Sequence, residues 1–215
     1  MNIHHHPCDS FLLSYAAGSL GEGFSLVISS HASMCDKCNK KIKEAENIGG
    51  SILNDTIPSE MNKLNFNDLL HRLDEPELTK YRPPTSHKGI PFPLSNYINT
   101  SIEDIKWKSL VPGIKQINLD IKSKKAGTVR LLNISPGKTI LSHSHSGIEM
   151  SLILQGSYTD EKGHFSVGDA FDLDRETSHQ PYIDSKENCI ALIATEGPLI
   201  YEGALGKALQ PFIGI

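Results

Sequence analysis

The stretch Gly137-Lys-Thr-Ile-Leu-Ser-His143-Ser-His145-Ser-Gly-Ile-Glu149-Met-Ser-Leu-Ile-Leu-Gln-Gly156 decides the architecture of this chain. Its two histidines and its glutamate all fall on odd positions. Side chains of a β-strand alternate faces, so if the segment runs as one strand, His143, His145 and Glu149 point the same way. One strand then delivers two imidazoles and a carboxylate to one spot. A second glycine-led segment, from Gly168 to His179, can add a third imidazole from a neighbouring strand. Three nitrogens and one oxygen suit zinc, iron, manganese or nickel. The spacing therefore predicts a metal pocket inside a small β-barrel.

The segment resembles the first motif of the cupin superfamily, Gly-x5-His-x-His-x3–4-Glu-x6-Gly, at every spacing. The second cupin motif is met in part: Gly168 and His179 are in place, while Asp174, Glu176 and Ile183 stand where Pro, Gly and Asn are usual. The resemblance implies an antiparallel jelly roll from about Trp107 onward. Short β-rich runs at 128–134 and 189–195, with turn signals at Pro136-Gly137, Asp160 to Gly163 and Gly197-Pro198, agree with it. Fold alone does not fix function, since one architecture hosts many chemistries.

At 215 residues and a formal net charge of -4, the chain has room for one large or two small domains and lacks the broad basic surface of a dedicated nucleic-acid binder. No stretch approaches the roughly 18 to 20 apolar residues of a spanning helix, and the reading is of a cytoplasmic protein without direct nucleic-acid or membrane contact. The cysteines are not spaced as a disulfide framework. Cys35 and Cys38 form Cys-x2-Cys, and His31 precedes them by four residues. On one continuous helix the three share a face; with a turn at Met34, Cys-x2-Cys opens the next helix instead. Either way they can converge on one ion, with a fourth ligand from the run His4-His5-His6 or from Cys8.

The order His6-Pro7, then Leu12 to Leu20, then His31-x3-Cys35-x2-Cys38 and Glu46 to Gly50 resembles the zinc-binding anti-sigma domain of ChrR-type anti-sigma factors. That resemblance implies zinc on His6, His31, Cys35 and Cys38. It also implies a C-terminal cupin-like domain carrying zinc or another divalent metal on His143, His145, Glu149 and His179. The partner it implies is an extracytoplasmic-function-type sigma factor, bound through the N-terminal helices and released on an oxidative signal, singlet oxygen or an organic hydroperoxide. A homodimer through the cupin domain is compatible with it. The competing reading is a metal-dependent cupin enzyme, a dioxygenase or isomerase, with an accessory zinc domain; beyond the four barrel ligands no convincing general base stands out, His164 reading as exposed. A third reading is a ligand-binding cupin that controls another partner.

The fold class expected is multi-domain α + β: a small zinc-binding helical domain at residues 1–82, a proline-containing linker at 83–104 and an antiparallel cupin jelly-roll barrel at 105–215. Asp9-Ser10 and Gly49-Gly50 read as helix start and stop signals. Ser59 to about Leu73 reads as a further helix whose apolar stripe could dock on a partner helix. The two thiolates of the N-terminal site offer a redox weakness, while Cys189, opening an apolar strand, reads as a buried small side chain.

Overall fold

The structure is a computed structural model and describes residues 2–58, 70–72, 87–121 and 127–201. Three helices come first: α1 (Asp9–Ala16), α2 (Glu22–Ala32) and α3 (Asp36–Asn54). Each has a carboxylate in its first turn, Asp9, Glu22 and Asp36, where the helix dipole favours negative charge. α2 is the buried one, with Phe24, Leu26, Val27, Ile28 and His31 all inside. It stops at Ala32, and Cys35 caps α3 in an extended conformation while its N–H donates to the His31 carbonyl at 2.9 Å. The fold thus takes the second of the two arrangements open to His31, Cys35 and Cys38, with Cys-x2-Cys opening the next helix.

α3 does not stop at Gly49-Gly50 but continues to Asn54. Neither glycine has a positive φ, and a helical glycine costs only about 0.5–1 kcal/mol relative to alanine. That is too little to end a helix already nucleated. From Glu46 onward every residue of α3 is exposed. Of the helix expected between Ser59 and Leu73, only 70–72 are described, and they are helical; the rest lies outside the described residues. A short helix, α4 (Phe92–Ser95), and a 3-10 turn (Ile102–Asp104) lead into the sheet, with Leu94 and Ile98 buried in the same core as Val27 and Ile28.

The strands are β1 (Lys108–Val111), β2 (Ile114–Asn118), β3 (Thr128–Ile134), β4 (His143–His145), β5 (Glu149–Gln155), β6 (Ser157–Asp160), β7 (Gly163–Ser166), β8 (Ala170–Leu173), β9 (Cys189–Thr195) and β10 (Leu199–Tyr201). They form a six-stranded sheet in the order β1-β2-β3-β9-β5-β8, with two-stranded sheets β10-β4 and β6-β7 closing the other side. All pairs are antiparallel. Val129 and Leu131 of β3, Met150 and Leu152 of β5, and Leu192 and Ala194 of β9 face a core shared with α2. The alternate positions, Leu132, Ile134, Ile153 and Ala191, face the barrel interior with Tyr158 and Phe171. Both faces are covered, which is why β3 and β9 read as nearly continuous apolar runs.

The opening stretch is two strands, not one. Between β4 and β5 the chain bends at 146–148, where Ser146 Oγ donates to the Pro198 carbonyl at 2.8 Å and the Ile148 N–H donates to Glu196 Oε2 at 3.0 Å. Gly147 makes the bend fit, since a Cβ there would lie 2.6 Å from that of Glu196. His143, His145 and Glu149 are nevertheless all buried.

Candidate metal centres

The N-terminal cluster is assembled from three short pieces of chain. His6 comes from the extended segment before α1, His31 from the last turn of α2, and Cys35 and Cys38 from the start of α3. His6 Nδ1 lies 3.5 Å from His31 Nε2, 3.5 Å from Cys35 Sγ and 3.5 Å from Cys38 Sγ, and one donor atom from each of the four falls within 4.8 Å of every other. A tetrahedral zinc with arms of about 2.0–2.3 Å has edges of roughly 3.3–3.8 Å, so the separations fit. His31 is 0% exposed, and its Nδ1–H donates to the Gly168 carbonyl at 2.9 Å. That bond fixes the tautomer and leaves the Nε2 lone pair facing the cluster. Burial pulls the His31 pKa down to about 4, keeping the imidazole neutral. Burial, with Cys35 beside it, pushes the Cys38 thiol up to about 12; a divalent cation reverses that balance by stabilising thiolate.

The barrel cluster gathers His143 and His145 of β4 with His179, which bridges to His143 through backbone hydrogen bonds of 3.2 and 3.1 Å. His143 Nδ1–H donates to the Leu141 carbonyl and His179 Nδ1–H to Asp160 Oδ2, both at 2.8 Å. Both Nε2 atoms are then lone-pair donors, yet they face each other at 3.1 Å. Two such lone pairs repel unless a cation lies between them. Among the described residues neither ring nitrogen of the buried His145 makes a hydrogen bond of good geometry; its Nε2 stands 3.4 Å from Glu149 Oε2, an ion-pair distance without hydrogen-bond geometry. Burial, then His179, lowers the His143 pKa to about 4. Burial opposes charge on Glu149 too, but the facing imidazoles, His145 first, outweigh it and hold the carboxyl at about 2. An ionised carboxylate beside orphaned imidazole nitrogens suits a divalent metal.

Of the alternatives for the fourth N-terminal position, the fold brings only His6 to the cluster. The His5 ring packs on Phe165 with centroids 4.4 Å apart, the His4 N–H is held by Asp169, and Cys8 is exposed with its Sγ on Ser10. His164 is exposed and paired with Asp184 at 2.9 Å. Three groups escape the sequence reading. Asp160 orients His179, and Gly168 orients His31, through contacts that no local spacing announces. Arg130 had a signal: a charge at inward parity in the apolar run 128–134.

Residues 95–199 match the family model described as the ChrR cupin-like domain. Over 218 aligned residues the chain is 35% identical to the anti-sigma-E factor ChrR of Cereibacter sphaeroides, the alignment covering 100% of both. The chain belongs to the ChrR-type anti-sigma family. The structure of Rhodobacter sphaeroides SigE in complex with the anti-sigma ChrR gives a TM-score of 0.78 at 34% identity, covering 90% of this chain and 100% of that one. In this ChrR-type chain the region of the family model contains the whole barrel cluster, and the His6, His31, Cys35, Cys38 cluster precedes it.

Proposed function

We propose that this chain is an anti-sigma factor that binds an extracytoplasmic-function-type sigma factor through its N-terminal helices and so keeps it from RNA polymerase. The observation that carries this is the full-length likeness to a protein whose structure is a complex with SigE. Sequestration is competitive burial and needs no chemical step by the chain. Zinc on His6, His31, Cys35 and Cys38 holds the short helices together, since metal binding in a small domain is largely folding free energy. His143, His145, Glu149 and His179 hold zinc or another divalent metal in the barrel, which serves the response to an oxidative signal, singlet oxygen or organic hydroperoxide. The protein works in the cytoplasm, without direct nucleic-acid contact; no helix among the described residues is long and apolar enough to cross a membrane.

The division into residues 1–82, 83–104 and 105–215 belongs to the same proposal, with Leu94 and Ile98 anchoring the connecting segment in the core. The test is co-purification of the full chain with each such sigma factor of its genome, with elemental analysis. Cys35→Ser should lose one zinc equivalent and most of the sigma factor, while His143→Ala should lose the other metal and keep the sigma factor. A wild-type chain that retains no sigma factor would overturn the reading.

A further inference from the structure

Both histidines of the N-terminal cluster are anchored to one turn of the barrel. The turn between β7 and β8 supplies the Gly168 carbonyl, which accepts from His31 Nδ1–H at 2.9 Å, and the Asp169 carboxylate, which accepts the His4 and His5 N–H groups. At the start of β8 the Ala170 N–H donates to the His5 carbonyl at 3.2 Å, on the peptide bond that leads into His6. β7 itself holds the His5 side chain: the ring lies against Phe165 with centroids 4.4 Å apart, and its Nε2–H donates to the His164 carbonyl at 3.1 Å.

The other end of the same strand meets the barrel cluster. Gly163, the first residue of β7, pairs with Asp160 of β6. The Asp160 side chain is 1% exposed, and its carboxylate accepts from His179 Nδ1–H at 2.8 Å. Glu161, in the hairpin turn, accepts the Gln180 N–H at 3.0 Å, and Thr159 and Tyr182 exchange main-chain hydrogen bonds of 2.9 Å. The hairpin thus holds the segment that carries His179 at one end and His5 at the other. β7 has four residues, a length of about 13 Å at the rise of a strand. Hydrogen-bonded elements this short are stiff, and stiff elements carry coupling between sites.

We propose that the β6–β7 hairpin couples the two metal clusters, from Asp160 through β7 to His5, so that filling the barrel cluster slows the loss of metal from His6, His31, Cys35 and Cys38. His5 is a positioning residue, acting through its neighbour His6. The proposal rests on the metal assignment made above and not on the sigma factor.

The experiment loads the full-length wild type, His143→Ala, His5→Ala and the double variant with cobalt(II) in place of zinc and counts the metal by elemental analysis. Loss of cobalt to EDTA is then followed through the thiolate-to-cobalt absorption, which reports only the cluster with Cys35 and Cys38, since the barrel donors carry no sulfur. His143→Ala, with one metal equivalent, should lose that absorption at an initial rate at least about fivefold above wild type with two. In the His5→Ala background the same change should accelerate the loss by less than about twofold. A general loosening of the fold would act equally in both backgrounds, so equal acceleration overturns the proposal, as does a His143→Ala chain that loses cobalt at the wild-type rate. Wild-type protein that takes up fewer than two equivalents would overturn the metal assignment itself and the coupling with it.

Discussion

Asp169 shows how much one side chain can hold. It is 1% exposed; one carboxylate oxygen accepts the His4 and His5 N–H groups at 2.7 and 3.0 Å, and the other accepts the Ser166 N–H and hydroxyl at 2.9 and 3.2 Å. It therefore tethers the segment that carries His6 to the turn before β8. Burial alone would raise its pKa, but the N–H donors outweigh burial and hold the carboxyl below its ordinary 3.8. A carboxylate depressed in the folded state contributes stability that is complete above the unfolded pKa of about 4 and is lost as pH falls through the lower folded value. Asp169→Asn should cost roughly 1.5–3 kcal/mol at pH 7, with the deficit shrinking as pH approaches 3. Urea denaturation of both proteins across that range checks it; a deficit independent of pH would show that the charge is not what matters. Cys189, by contrast, is an inert thiol: it is buried, and burial pushes its pKa up to about 12.

The last turns of α3 are the element best placed to meet a partner. Ile48 and Ile52, one helical turn apart, are each 63% exposed, and Leu53 is 71% exposed. Apolar side chains left exposed on a helix end contribute little to folding and much to an interface. Ile48→Lys with Ile52→Lys should leave stability within about 0.5 kcal/mol and weaken the sigma-factor complex by at least about tenfold, read by pull-down and by thermal melting of the free chain. The sequence reading placed the docking stripe further along, between Ser59 and Leu73, and took Gly49-Gly50 as the end of the helix before it. Glycine is an ambiguous signal, because it ends a helix only where its φ turns positive. Gly156, between β5 and β6, does take a positive φ, 69°, and a Cβ there would lie 2.7 Å from the Asn188 carbonyl, which explains why the motif closes on a glycine. The clustering of His143 with His145 and of Cys35 with Cys38 was legible because their spacing is local. The break between β4 and β5 was not, because it depends on Glu196 and Pro198, brought there only by the fold.

For the molecule as a whole, the helices and the sheet do not have separate interiors. Val27 and Ile28 of α2 belong to the same buried cluster as Leu131, Met150 and Leu192. The metal-loaded full chain should therefore unfold in one calorimetric transition whose van't Hoff and calorimetric enthalpies agree; two resolved transitions would mean that the shared core contributes little. The hydrogen bond from His31 to Gly168 spans 137 positions of sequence, and its acceptor is a main-chain oxygen that every amino acid carries. No exchange of side chain at 168 deletes that oxygen. A survey of point substitutions would record the glycine's backbone preference, a φ of 93°, and pass over the link itself. Relatives could drift freely in side chains here and still keep the barrel's grip on the His31 imidazole, whereas one inserted residue in this turn would break it.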